Sequence, residues 1–453
     1  MSLPGSDEYA QGAMTEPCQV YRRRWLMLAL FVLTSSANAS HWLQYSIITN
    51  IMMRFYGVSS LAINWTSMVY MAAYIPLVFP ASWLLDRKGL RVTLLAGAAI
   101  MTAGSWVKVL SASPDRFAVA FLGQTLVGAA QMFILGVPAR LAAVWFGPNQ
   151  VSTACAIGVF GNQVGIALGF LLPPAFVGNH DDLDLIARDM STMYYTMAGV
   201  PMVVFLLLLL FFEAEPPTPP SPAQARIPER EGNYFSSLRK LVSNRSFVLL
   251  LVSYGINVGV FYAVSTLLNQ MVLQHFEDAE EDAGRIGLTM VLAGIVGSVC
   301  GGVVLDRTHR FKETTLVVYL MALVGMVGFT FTLNLGDISL LYITGAFLGF
   351  FMTGYLGVGY EFAAELTYPV PEGTSSGLLN ASSEIFGVTL TLGAGEILDV
   401  YGDRVTNMSL TGILVLGVLL SILIKGTKLR RREACKTVSE SQPFTETPTK
   451  YVG

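Results

Sequence analysis

The chain has 453 residues, of which 53% are hydrophobic and only 13% are charged, and its formal net charge is −3. Soluble domains carry roughly 25% charged residues, so this composition excludes an ordinary water-exposed fold and points to lipid as the solvent. The small net charge, with no run that mixes dense Lys/Arg with aromatics, excludes a nucleic-acid partner. Cys18, Cys155, Cys300 and Cys435 stand far apart with no CxxC and no Cys/His cluster, which excludes a disulfide framework and a zinc site of ordinary spacing.

Residues 1–24 read as a polar tail ending in Arg22, Arg23 and Arg24. The apolar run that follows is too long for the core of a cleaved leader and reads as an uncleaved first span. A spanning helix needs about 20 mostly apolar residues. Such segments lie near 25–52, 63–85, 92–111, 117–139, 151–174 and 191–213, and again near 246–274, 285–305, 314–333, 338–360, 374–397 and 408–425. That pattern predicts an all-α membrane protein with twelve transmembrane helices in two six-helix bundles, residues 25–213 and 246–425. Between them, residues 214–245 begin in the Pro-rich run Glu213-Ala-Glu-Pro-Pro-Thr-Pro-Pro-Ser-Pro222 and read as a cytosolic linker, with a short surface helix over 234–242. Residues 426–453 form a second polar tail.

With the N-terminus inside, 22 of the 28 Lys and Arg residues fall on the cytosolic side; the six others are Arg54, Lys108, Arg116, Arg188, Arg285 and Arg404. The positive-inside rule therefore places both termini in the cytosol and the acidic stretches Asp181 to Asp184 and Glu277 to Asp282 outside. Asn407-Met-Ser409 then reads as an outward glycosylation sequon.

An internal repeat supports six plus six. Trp83-Leu-Leu-Asp-Arg-Lys-Gly-Leu-Arg91 separates spans two and three, and Gly302-Val-Val-Leu-Asp-Arg-Thr-His-Arg310 separates spans eight and nine. Both put Leu-Asp-Arg and a later Arg (Asp86, Arg87 and Arg91; Asp306, Arg307 and Arg310) in a tight cytosolic turn, where the acid meets the positive end of a helix. Two copies at equivalent places resemble the loop signature of the major facilitator superfamily. The resemblance implies a substrate site near the midplane between two bundles, lined by spans one, four, seven and eleven, and alternating access by rocking.

No nucleophile elbow, phosphate loop, zinc-helix or dinucleotide motif is present, so no enzyme activity, cofactor or metal is expected. The informative residues are polar or aromatic ones inside spans, which face protein or a cavity because lipid is costly for them. They include Asn38, His41, Trp42 and Gln44 in span one, Gln131 in span four, Asn257, Phe261 and Tyr262 in span seven, and Asn380 and Glu384 in span eleven. Trp42 from one half and Tyr262 from the other would offer two π faces to a cation. Gln131 suits a hydroxyl and Asn38 an ammonium. Glu384, a carboxylate at midplane depth, must be paired, hydrated or protonated. His41 reads as a hydrogen-bonded structural group. Glu361 and Glu365, four apart near the inner end of span ten, and Arg140 at the same level read as an inner gate or structural charge network. Gly165/Gly169, Gly297/Gly301 and Gly345/Gly349 read as close helix contacts.

Longer strings carry a sharper likeness: Trp42-Leu-Gln-Tyr-Ser-Ile, Ser67-Met-Val-Tyr-Met-Ala, Ala130-Gln-Met-Phe-Ile-Leu-Gly, Val144-Trp-Phe-Gly-Pro-Asn, Ser265-Thr-Leu-Leu-Asn-Gln, Gly349-Phe-Phe-Met-Thr-Gly-Tyr and Gly373-Thr-Ser-Ser-Gly-Leu-Leu-Asn380. With these the chain resembles the feline leukaemia virus subgroup C receptor (FLVCR) transporters over nearly all of residues 22–430. The resemblance implies a facilitative carrier of choline, in some members ethanolamine, in the plasma membrane, with internal membranes as alternatives. It places the cation cage on Trp42 and Tyr262, polar contacts on Asn38 and Gln131, and Met71 and Phe261 in the pocket lining. A glutamine of the family is Glu384 here; an acid there would tighten cation binding, slow release or add proton dependence. Haem transport, also assigned in the family, is the second reading, and a non-transporting receptor or metabolite sensor the third. A monomer in the lipid bilayer with one small-molecule substrate is expected.

Overall fold

The computed structural model describes residues 19–147, 150–220, 234–367, 370, 372–425 and 451–452. The cores of both tails, residues 221–233 of the linker and the side chain of Asp306 lie outside the described residues.

Fourteen α-helices make up the described chain: α1 Arg23–Ala39, α2 Thr49–Tyr56, α3 Ser60–Val109, α4 Phe117–Leu135, α5 Val137–Trp145, α6 Val151–Phe176, α7 Leu183–Phe211, α8 Tyr234–Ser243, α9 Arg245–Leu273, α10 Glu280–Thr308, α11 Phe311–Leu333, α12 Ile338–Thr367, α13 Glu372–Tyr401 and α14 Asp403–Leu423. A two-residue parallel bridge joins Val20–Tyr21 to Tyr451–Val452. Among the described residues nine helical segments are long and apolar enough to cross a membrane. Twelve crossings are recovered from their composition. The 50 residues of α3 hold two, joined at Gly89, whose φ of +78° is non-helical and suits a residue without Cβ. The 17-residue α1 spans together with α2, and α13 is a span diluted by Gly, Ser, Thr, Asn and Glu.

The first span departs from the continuous helix expected over 25–52. Helix α1 stops at Ala39, the chain turns through residues 40–45, and a 3-10 turn at Ser46–Ile48 leads into α2. Irregular backbone at membrane depth is tolerated only where protein satisfies it. Here Gln124 on α4 does so, donating to the carbonyls of His41 (2.8 Å) and Trp42 (3.4 Å). Span four also bends, at Gly136, where Pro138 lacks the N–H that would continue α4 into α5. The acidic stretches expected in outer loops cap helices instead. Asp182 N-caps α7, and Glu280, Glu281 and Asp282 form the first turn of α10, favourable places for negative charge.

The two halves pack by the same plan. In the first, α1 lies on α6 and α3 on α4; in the second, α9 lies on α13 and α10 on α12. Gly165 and Gly169 let α6 approach the backbone of α1 at Ser36 and Ser40, the close contact expected of that pair. The halves meet through α6 against α10 and α3 against α13, contacts related by the same internal two-fold. The core shows where they touch. One large apolar cluster draws residues from both halves, Ile47, Ile51, Ile63 and Phe170 with Leu267 and Ile286. A second, around Met27, Phe31, Leu94 and Trp145, belongs to the first half alone.

Candidate functional site

Five side-chain hydrogen bonds join the halves at the end of the bundle remote from Arg23 and Leu423. Asn50 donates to Glu280 (2.7 Å), Ser60 to Asp399 (2.5 Å), Asn179 to Asp278 (3.1 Å) and Gln270 to Asn64 (2.8 Å), while the Ser67 and Thr266 hydroxyls share a bond of 2.9 Å. Phe170 is pressed against Gly284 and Gly287 across the same seam. Burial changes along α3: most of its first turns, Ser60 to Tyr74, are closed to solvent, whereas Ile75, Phe79 and Trp83 are exposed. The same occurs on α10, where Met290 and Val291 are buried and Val299, Val303 and Val304 are exposed. The molecule is sealed at the remote end and splayed at the end that carries the termini.

At the bottom of that seal sits an aromatic and acidic cluster drawn from both halves. Trp42, in the turn after α1, meets Tyr262 of α9 edge to face, with ring centroids 5.3 Å apart and planes at 74°. Such pairs contribute about 0.5–1.5 kcal/mol beyond area burial. The Tyr262 hydroxyl and the Glu384 carboxyl of α13 stand within electrostatic reach of one another. Met71 of α3 and the Tyr262 ring both lie against Gly387, one turn beyond Glu384, where a Cβ would come within 2.7 Å of each. Phe261 flanks Tyr262, with centroids 6.4 Å apart. Tyr74 of α3 and Tyr360 of α12 stand within electrostatic reach of the Tyr262 hydroxyl, and Tyr360 donates to Asn380 at 2.5 Å. Trp42, Met71 and Phe261 are buried, and Glu384 is 9% exposed.

Asn38 and Gln131 occupy the first-half side. Asn38 is 2% exposed and donates its amide to the carbonyl of Val127 on α4 (3.0 Å), so its nitrogen holds the helix pair together. Gln131 follows Val127 by one turn and is half-buried. The structure thus gathers Trp42, Tyr262, Met71, Phe261 and Glu384 into one cluster.

Arg140 pairs with Asp86 inside its own half at 3.0 Å, and Arg91 donates to the Leu209 carbonyl that ends α7 (3.1 Å). Arg87, Arg307 and Glu361 are exposed, while Glu365 is 3% exposed. Asn407, the expected glycan acceptor, is fully buried within α14, so the sequon is closed to modification.

Several residues escaped the sequence reading. Tyr74 and Tyr360 looked like ordinary span aromatics. Lys108 was counted only as a charge outside the cytosolic set, yet it is 1% exposed and hydrogen-bonded behind Trp42. A lone lysine within an apolar run was the available signal. His41 is hydrogen-bonded and buried, as a structural histidine would be.

Two helical halves that meet around a buried aromatic and acidic cluster, with helices long and apolar enough to cross a membrane and a match to a transporter family, define a polytopic membrane transporter, a carrier rather than an enzyme. The chain matches the Major Facilitator Superfamily over residues 30–385. It is 53% identical over 419 residues to the choline/ethanolamine transporter flvcr2a of Danio rerio, covering 92% of this chain and 89% of that one. It is 50% identical over 427 residues to the choline/ethanolamine transporter FLVCR2 of Homo sapiens (94% and 81%), and 51% identical over 425 residues to FLVCR1 of Felis catus (93% and 76%). Among solved structures, an inward-facing, occupied bacterial homolog of the human lysosomal transporter Spinster superposes with a TM-score of 0.70 at 14% identity, covering 90% of this chain and 98% of that one, a likeness of fold alone. The chain belongs to the major facilitator superfamily and, within it, to the FLVCR transporters.

Proposed function

We propose that this protein carries choline, and with it ethanolamine, by facilitated diffusion, alternating between an outward-open and an inward-open form. The observation that carries the reading is the Trp42–Tyr262 ring pair contributed by opposite halves, with the Glu384 carboxyl beside Tyr262. Two π faces and one carboxylate recognise an organic cation of small size. The relatives are choline/ethanolamine transporters, and these groups suit that chemistry.

In the reading proposed, both termini are cytosolic in the plasma membrane, because the exposed arginines of the turn after α3's first half and of the start of α1 gather at that end. The substrate enters when the seal at Asn64–Gln270 and Ser67–Thr266 parts, docks on Trp42, Tyr262 and Glu384, and leaves through the splayed end. Its concentration gradient and the membrane potential drive a cation inward, so no coupling ion is required. Asn38 and Gln131 border the site from the first half, and Met71 and Phe261 exclude water from it. Haem transport finds less support. His41, its candidate axial ligand, is 1% exposed and engages Lys108 and Ser105 through its ring nitrogens.

Labelled choline uptake in cells expressing the full chain tests the reading. Saturable uptake abolished by Trp42→Ala is the expected result. Background-level uptake with the protein present at the surface would overturn it.

A further inference from the structure

Behind the substrate cluster, on the side of Trp42 away from Tyr262, lies a buried polar group that transport chemistry as described does not use. Lys108, near the end of α3, reaches between α1 and α4 with its stem packed over Gly123. Its Nζ lies 3.0 Å from Nδ1 of His41 and 2.8 Å from Oε1 of Gln44, and 5.5 Å from the centroid of the Tyr45 ring. Two acceptors and one π face match the three N–H bonds of an ammonium. On the other side of the imidazole, Nε2 of His41 meets the Ser105 hydroxyl at 3.4 Å, and that hydroxyl donates to the Met101 carbonyl at 2.8 Å. Gln124 holds the carbonyls of His41 and Trp42. Lys108, Ser105 and Gln124, from α3 and α4, therefore grip the turn at His41 and at Gln44. The one aromatic residue between those two grips that faces the opposite half is Trp42.

We propose that Lys108 is a positioning residue for the substrate site: by binding His41 and Gln44 it fixes the backbone of residues 41–44 and so the ring face that Trp42 offers to the cation. The proposal rests on the transport reading above for its substrate. It rests on geometry alone for its effect on Trp42. A helix carried straight through Ala39 would need no such grip, since its carbonyls would be satisfied within the helix. At the break those carbonyls are met by turn bonds and by Gln124 instead, and the side chain of Trp42 takes its direction from whatever holds the turn. Lys108 reaches both ends of the break through its hydrogen bonds to His41 and Gln44. Its loss should loosen the indole without dismantling the helix pairs on either side.

The test uses the full chain in cells and, in parallel, purified protein whose only tryptophan is Trp42. Lys108→Met keeps the stem and removes the donors; His41→Leu removes the acceptor; His41→Asn restores one near the position of Nδ1. Loss of the two hydrogen bonds should raise the half-saturation for choline by about tenfold in Lys108→Met and His41→Leu, with surface-normalised maximal rate and thermal midpoint close to the parent protein. His41→Asn should recover most of the affinity. The emission of Trp42 should shift and its anisotropy fall in the first two variants and return in the third. Unchanged Trp42 emission with unchanged half-saturation in Lys108→Met would overturn the proposal. So would a fall in thermal midpoint and maximal rate with half-saturation unchanged, which is the signature of a residue that only supports the fold. If the parent protein shows no saturable choline flux, the transport reading fails, and the Trp42 emission still decides the positioning role.

Discussion

Trp42 and Tyr262 touch edge to face across the boundary between the two halves, so each half owns one wall of the same aromatic contact. Because the pair is split between bodies that must rock, ring geometry and transport state are linked. Removing either ring should lower choline affinity, each cation–π contact contributing about 0.5–2 kcal/mol. Tyr262→Phe keeps the π face and loses only the hydroxyl beside Glu384, so it should retain more uptake than Tyr262→Ala; concentration-dependent uptake of the two variants distinguishes them.

Glu384 is the carboxyl that α13 places beside Tyr262 in the cluster. Glu384→Gln keeps size and hydrogen-bonding capacity while removing the charge, so the half-saturation for a quaternary amine should rise by about tenfold, the scale of one partly screened ion pair. Maximal rate should hold or rise, because a weaker complex releases its cargo sooner. Equal half-saturation in the two proteins would show that the carboxyl is neutral when substrate binds.

The seal can be wedged. Gly287 lies under the Phe170 ring so closely that any Cβ collides with it. Gly287→Val should disfavour the sealed form and shift the population toward the outward-open one, a change that needs only a few kcal/mol. Uptake should fall while choline still binds from outside. A cysteine placed at Leu267, fully buried in the sealed form, should become reactive to an impermeant thiol reagent in the Gly287→Val background.

Asn407 provides a simple check on burial. Its side chain has no exposure within α14, so treatment with a glycan-cleaving enzyme should leave the mobility of the protein unchanged, and Asn407→Gln should do the same.

Much of this architecture was legible because lipid imposes a strong and simple pattern. Twelve apolar stretches of sufficient length and a repeated Leu-Asp-Arg turn announce two six-helix halves. The aromatic pair was legible because Trp42 and Tyr262 are out of place in lipid-facing helices. The break after Ala39 was not legible. Ser40-His41-Trp42 contains neither Gly nor Pro, and the bonds that make the break tolerable come from Gln124 and Lys108, some 60 to 85 residues away in sequence. The partner of Arg140 was hidden for a similar reason. Depth along a helix can be counted from sequence, but the direction a side chain takes there cannot, and Arg140 turns to Asp86 in its own half. Asn407 failed as a glycan site because a sequon specifies residue types and says nothing of which face of a helix carries them.

The seal has an asymmetry with a kinetic consequence. In three of its bonds the first half supplies a neutral donor, Asn50, Ser60 or Asn179, and the second half supplies the carboxylate, Glu280, Asp399 or Asp278. When the halves part, those three acids lose their partners and become a negative rim on one wall only, the wall that leads down to Tyr262 and Glu384. An arriving cation is drawn along that wall by a field that dissolved salt damps over about 8–10 Å. Capture from outside should therefore slow as ionic strength rises, whereas departure through the other end, which lies beyond the reach of that rim, should not.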